Sequence, residues 1–121
     1  MEISKFITDN GTTIFRVSGK LIYSSVDKLK TGIDSAIEEG ASKIIINLKG
    51  ANIIDSASAG LLLSRSRAAK KKGGYFCFCE LQPAIAKLFM MIGADQRPEI
   101  FMTENEALEY TQTGAKTPQE K

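Results

Sequence analysis

The strongest constraint on the fold is a nearly continuous apolar run near the middle of the chain, residues 44–48 (IIINL). A strand with one solvated face alternates apolar and polar residues, so an unbroken run indicates a central strand covered on one or both faces. With 121 residues, 43% of them hydrophobic, the chain can build one core and is too short for a second domain. We therefore predict a single domain over residues 1–112.

A β-hairpin is predicted at the start of the chain. Two short runs of β-favouring residues, 3–7 and 13–17, flank the turn sequence DNG. Apolar residues then recur at helical spacing over 26–37, after Ser24 or Ser25 as the candidate helix cap. The first three elements are therefore two antiparallel strands and an amphipathic helix.

The rest of the chain alternates helix and strand. Turn residues, a proline at a helix start and a capping box mark the boundaries of the predicted elements. These elements are a helix over 57–72, a strand over 75–79, a helix from Pro83 to Gly93, a strand over 98–102 and a helix after Thr103. This alternation predicts an α/β fold with a mixed, largely parallel sheet, an N-terminal antiparallel hairpin and about four helices. Residues 113–121 have the composition of a disordered tail.

Charge and hydropathy argue against several classes of protein. The 16 basic and 14 acidic residues leave a formal net charge of +2, without the strong field that attracts nucleic acid or an anionic membrane. No apolar stretch reaches the roughly 20 residues that cross a bilayer, and residues 1–20 lack the pattern of a secretion signal. We expect a cytoplasmic protein with no nucleic-acid partner and no direct membrane insertion. Nothing in the sequence predicts its oligomeric state.

The two cysteines are predicted to be structural. Cys77 and Cys79 lie two residues apart in the run YFCFC, which directs both side chains to one face of a strand. The chain has no histidine and no second cysteine pair, so the usual ligand sets for a metal are missing. We expect two small buried thiols, no metal site and no cofactor.

The segment that points to a function is the junction at Asp55 and Ser56, where the buried strand is followed by a helix. Such junctions are where α/β domains expose functional groups. Backbone N–H groups at a helix start lack partners and the helix dipole is positive there, so a phosphate on Ser56 would be favoured. The alternative is a structural role, in which Asp55, Ser56 or Ser58 caps the helix.

Three segments of the chain resemble the STAS domain of bacterial anti-sigma-factor antagonists. They read IIINLKGANIIDSASAG, KKKGGYFCFCELQPAIAKLFMMIGA and EIFMTENEAL, and a looser similarity extends over residues 3–110. The resemblance implies that the serine directly after the aspartate, here Ser56, is phosphorylated by a partner serine kinase that is also the anti-sigma factor. It further implies that the unphosphorylated protein binds this partner and releases a sigma factor, and that a phosphatase reverses the modification.

Two positions depart from the family pattern around the expected phosphoacceptor. The family commonly has serine or threonine and then glycine after that serine, whereas this chain has Ala57 and Ser58, and Ser58 offers a competing acceptor. The loop after the second strand usually ends in an acidic residue, where this chain has Ile22. The residues expected to contact the partner flank the acceptor: Asp55, Ala57, Ser58, Ile22 and Tyr23.

Other interpretations stay open at this stage. The same fold would serve a STAS-like subunit that regulates or assembles a membrane transport complex without phosphorylation. An enzyme is not expected, because the chain has no histidine to act as a base for Ser56.

The basic run over 65–72 is interpreted as a solvated helix face. In the helix after Pro83, Phe89 and Ile92 are predicted to enter the core and Met90 or Met91 to be exposed.

Overall fold

The fold was analysed in a computed structural model, which describes residues 1–114. Its nine elements follow the predicted order of strands and helices and are β1 Glu2–Ile7, β2 Thr13–Leu21, α1 Val26–Glu38, β3 Lys43–Ile54, α2 Ser56–Lys71, β4 Tyr75–Cys79, α3 Pro83–Ile92, β5 Glu99–Phe101 and α4 Glu104–Thr113.

The five strands form one mixed sheet in the order β1-β2-β3-β4-β5. β1 pairs antiparallel with β2, from Glu2 opposite Ser18 to Ile7 opposite Thr13. The other neighbours pair parallel, each joined through a helix. The tight return between β1 and β2 uses Gly11 at φ +85°, a conformation that costs glycine little. The predicted α/β class, with its N-terminal hairpin and four helices, is confirmed.

The central strand is longer than the apolar run suggested. β3 extends through Ile54 because β2 continues to pair with it beyond residue 48, across two register shifts. Gly50 makes this pairing possible, since a Cβ there would lie only 2.8 Å from the Cβ of Ser18. The extension carries the end of β3 to the point where α2 begins.

Two hydrophobic layers cover the sheet, because successive side chains of a strand point to opposite faces. Helices α1, α2 and α3 pack on one face, against a core that includes Phe15, Ile44, Ile46, Phe76 and Phe78. On the other face, Ile14, Ile45, Cys77, Cys79 and Phe101 pack around Ala107 of α4. Both thiols are buried, as predicted. Burial raises the pKa of each thiol, so both are protonated at neutral pH.

Helix α3 corrects one core prediction. Phe89 is buried and both Met90 and Met91 are exposed, as expected, but Ile92 is 39% exposed rather than in the core. The reason lies in the next residue: Gly93 takes the buried position against α2, where a Cβ would stand 3.1 Å from the Leu63 side chain. Ile92 is therefore left at the rim.

The C-terminal end of the described chain differs slightly from the prediction. α4 continues through Thr113, one residue past the predicted domain boundary, and Gly114 ends it at φ +74°. The predicted disordered tail otherwise falls on residues 115–121, which lie outside the described residues. Over residues 1–114, no helix combines the length and apolar character needed to cross a bilayer.

Candidate functional site

The candidate site lies at the β3–α2 junction, where Asp55 stands between Ile54 and Ser56. Asp55 is the N-cap of α2, with extended backbone angles of φ −95° and ψ 168°. Its Oδ1 accepts a hydrogen bond of 2.8 Å from the backbone N–H of Ser58. Of the three capping candidates in the sequence, Asp55 fills the role, which leaves the two serines without it.

Ser56 is the first residue of α2, and its side chain is exposed. Within residues 1–114 its hydroxyl makes no hydrogen bond, so the oxygen is free at the helix start. Ala57, the next residue, is also exposed and too small to screen it. A reagent or partner enzyme can therefore reach the Ser56 hydroxyl from solvent.

Ser58, the predicted competing acceptor, is in a different environment. Its side chain is fully buried at 0% exposure, and within residues 1–114 its hydroxyl makes no hydrogen bond of good geometry. The position faces the core because it follows Ser56 by two residues, which is about 200° around a helix. The Ser58 hydroxyl is therefore inaccessible unless the first turn of α2 opens, whereas the Ser56 hydroxyl is accessible.

The loop between β2 and α1 lies beside the β3–α2 junction and forms part of the site. The backbone N–H of Tyr23 donates to Asp55 Oδ2 at 2.8 Å, and the Asp55 N–H donates to the Leu21 carbonyl at 3.2 Å. Tyr23 is 79% exposed, whereas Ile22 is half-buried. The fold therefore brings Ile22 and Tyr23 beside Asp55 and Ser56, although more than 30 residues separate them in sequence.

Ser25 shapes this loop in a way that the sequence did not predict. It occupies the N-cap position of α1 without a side-chain capping bond. Its hydroxyl instead donates to the Lys20 carbonyl at 2.8 Å and accepts from the Ile22 N–H at 3.1 Å. These bonds close the loop on itself.

The carboxylate of Asp55 supplies the negative charge of the site. The adjacent side chain of Ser58, together with the backbone N–H groups of Ser58 and Tyr23, lowers the pKa of Asp55 below its ordinary value. Asp55 is therefore ionised at neutral pH. A phosphate on Ser56 would add to this charge, with the positive end of the α2 dipole in partial compensation.

Ile53 is an exposed apolar residue near the junction that sequence reasoning missed. It is 47% exposed and lies opposite Lys20 of β2. The signal was present in the pair Ile53-Ile54, because two successive residues of a strand cannot both face the same core. Ile54 packs against the core, which leaves Ile53 outside.

The groups that usually activate a serine or hold a metal were sought around Ser56. The sequence contains no histidine, the usual base for an activated serine. Among residues 1–114 there is also no group of three or more histidine, cysteine, aspartate or glutamate side chains that could hold a metal ion.

Comparison with known proteins identifies the family. The profile of the STAS domain matches residues 5–107. The chain belongs to the STAS domain family. The resemblance found in the sequence is thereby confirmed, and the α/β domain described above is a STAS domain.

Related proteins carry names that bear on function. This STAS protein is 30% identical over 99 residues to the anti-sigma F factor antagonist of Paenibacillus polymyxa, covering 81% of this chain and 85% of that protein. The anti-sigma factor antagonist SpoIIAA in its unphosphorylated form aligns with a TM-score of 0.74 at 25% identity, over 93% of this chain and 99% of that one. The phosphorylated form of the Bacillus cell fate determinant SpoIIAA aligns with a TM-score of 0.72 at 26% identity, over 89% and 97% of the two chains.

Proposed function

We propose that this STAS protein is an anti-sigma-factor antagonist whose binding is controlled by phosphorylation of Ser56. In its unphosphorylated form it docks in the cytoplasm on an anti-sigma factor that is also a serine kinase, and a sigma factor is released. Phosphorylation of Ser56 blocks docking, and a phosphatase restores it. In this scheme the protein is a substrate and a binding partner, not an enzyme. The names of the related antagonists support the general role.

One observation carries the proposal: the Ser56 hydroxyl is exposed at the first residue of α2, beside an exposed tyrosine. A phosphate there would add about −1.5 to −2 charges and three acceptor oxygens at neutral pH. The apolar side chains of Tyr23 and Ile53 are suited to a partner surface that excludes water. Docking such a surface over a phosphate would require removing its hydration, which is costly without a paired cation.

The loop of residues 22–25 has no charged side chain, which affects the kind of partner surface that we expect. Ile22 stands where the family usually has an acidic residue, and Tyr23 beside it is largely exposed. We expect the cognate kinase to present an apolar surface to this loop rather than a basic side chain. The acidic group nearest to Ser56 in sequence is Asp55, whose two oxygens already accept backbone hydrogen bonds.

The direct test is phosphorylation with the cognate kinase and Mg-ATP, followed by mapping of the modified residue by mass spectrometry. We expect one phosphate on Ser56, which is lost in Ser56→Ala and retained in Ser58→Ala. Phosphate on Ser56→Ala, or none on the wild-type protein with any kinase of the source organism, would reject the proposed acceptor.

A second test asks whether negative charge is the signal. We expect Ser56→Asp to weaken docking on the kinase by about tenfold or more, because a carboxylate supplies part of the phosphate charge at the same place. Ser64→Asp is the matched control, since Ser64 is an exposed serine on the same helix. Equal weakening by both variants would indicate a general charge effect and contradict a site-specific switch.

A further inference from the structure

We propose that Asp55 is a positioning residue, which holds the loop of residues 22–25 against the start of α2 and does not itself contact the partner. The inference rests on the proposed function, since it explains how Tyr23 and Ser56 come to form one docking surface. It changes the role expected for Asp55 from a contact residue to a residue that acts through Tyr23.

The hydrogen bonds of the carboxylate carry this inference. Oδ1 accepts from the Ser58 N–H and Oδ2 accepts from the Tyr23 N–H, each at 2.8 Å. One donor belongs to the helix that bears the phosphoacceptor and the other to a loop 32 residues earlier. Both oxygens therefore point to the protein's own backbone, and Asp55 is only half-exposed.

The other bonds of the loop do not replace this connection. Ser25 closes the loop on Lys20 and Ile22, which are its own neighbours in the chain. The Asp55 N–H reaches the Leu21 carbonyl, at the end of β2 and before the loop begins. Within residues 1–114, the hydrogen bond that joins the loop itself to the start of α2 is the one from Tyr23 to Asp55 Oδ2.

Conservative substitutions separate the two oxygens. In Asp55→Asn, the amide oxygen can still cap the Ser58 N–H, because asparagine is as good an N-cap as aspartate. The amide nitrogen that replaces Oδ2 is a donor and cannot accept from Tyr23. Asp55→Asn therefore removes the loop contact and keeps the cap, whereas Asp55→Ala removes both.

The experiment compares the wild-type protein with Asp55→Asn by NMR and by binding to the kinase. In the isolated variant we expect the Tyr23 amide proton to lose the downfield shift of a bond to carboxylate and to exchange faster, while the Ser58 amide stays protected. Docking should weaken by roughly five- to tenfold, the size of one exposed hydrogen bond to a charged group. Phosphorylation of Ser56 at saturating kinase should still occur.

Asp34→Asn is the matched control. It removes the same charge from α1 and weakens the pairing with Arg65, at a position roughly two turns along the helix from the loop. We expect this variant to dock like the wild-type protein and to keep the Tyr23 amide shift.

Two outcomes would overturn the inference. Weaker docking of Asp55→Asn with an unchanged Tyr23 amide would mean that the partner contacts Asp55 directly. A displaced Tyr23 amide with unchanged docking would mean that the loop position does not matter for the partner. Failure of the proposed function gives a different result: the wild-type protein then neither docks nor is phosphorylated, while the Tyr23 amide still responds to Asp55→Asn.

Discussion

The starts of α2 and α4 each carry a carboxylate that joins the helix to another part of the chain, but the two connections differ. At α2, Asp55 accepts from two backbone N–H groups, one of them in an exposed loop. At α4, Glu104 accepts from two side chains that lie over the sheet, at 2.8 Å from Arg16 Nη2 and 2.8 Å from Asn47 Nδ2. The Asp55 carboxylate therefore positions an exposed loop, whereas the Glu104 carboxylate attaches α4 to the sheet.

The capping of the two helices differs in the same way. α4 has a complete capping box, in which Thr103 accepts from the Glu106 N–H and Glu106 accepts from the Thr103 N–H. This cap is closed within one helical turn, whereas the α2 cap shares its aspartate with a distant loop. Changes at α4 should therefore act on stability, and changes at α2 on the site.

The largest effect on stability is expected from Glu104→Ala. The substitution leaves the buried amide of Asn47 without its acceptor and breaks the ion pair with Arg16. We expect a loss of about 2–3 kcal/mol in the free energy of unfolding, measured by urea denaturation. Glu109→Ala, at an exposed position of the same helix, should change it by less than about 0.5 kcal/mol. Phosphorylation of Ser56 in folded Glu104→Ala should be normal, and a loss of phosphorylation would show that α4 also affects the site at α2.

The pH dependence of stability should report the ionisation of the Glu104 carboxylate. Hydrogen bonding to Arg16 and to Asn47 lowers the pKa of Glu104, against the opposing effect of burial. A lowered pKa in the folded state means that the stabilisation is complete above the ordinary value of about 4.5 and is lost as the pH falls through the lowered value. The difference in unfolding free energy between wild type and Glu104→Gln should therefore shrink as the pH falls below about 4.5. A difference that stays constant over that range would contradict this account.

A smaller effect is expected from Thr103→Ala, which opens the capping box of α4. Loss of such a cap costs about 1 kcal/mol, and thermal denaturation would measure it. The Tyr23 amide shift and docking on the kinase should not change, because the α4 cap is closed on its own turn. A shift of the Tyr23 amide in this variant would show that the two helix starts are coupled.

The smallest effect, of opposite sign, is expected from Ser58→Ala. The substitution removes a buried hydroxyl that makes no hydrogen bond of good geometry and introduces a better helix former. The substitution also removes the contribution of the Ser58 side chain to the low pKa of Asp55, so we expect the free energy of unfolding to rise by less than about 1 kcal/mol, measured by urea denaturation. A decrease of similar size would indicate that the hydroxyl has a stabilising partner after all.

Most of the fold could be predicted because its signals are local. The apolar run at residues 44–48, the turn before Thr13 and the Thr103–Glu106 capping box each report the conformation of their own segment. The errors fall where packing with another element decides. β3 is lengthened by pairing with β2, and Ile92 is exposed because Gly93 takes the contact with α2.

The candidate site was predictable only in part. The sequence located the junction at Asp55 and Ser56, because a strand followed by a cap and a helix is a local pattern. The family resemblance indicated Ser56 as the acceptor and left Ser58 as an alternative, but the sequence did not predict that Ser58 is buried, since that depends on which side of α2 faces the sheet. It also treated Asp55 as one capping candidate among three, without the second bond to Tyr23.

The order of strands and helices and the junction at Asp55 and Ser56 follow from local sequence patterns, because capping and hydrophobic periodicity depend on residues only a few positions apart. The family followed from the resemblance of three segments. The exposure of Ser56 and the loop that lies beside it depend instead on how distant segments pack. The physical reason is that exposure and the bond from Tyr23 to Asp55 arise when segments 32 residues apart are packed together, and no local pattern records that contact.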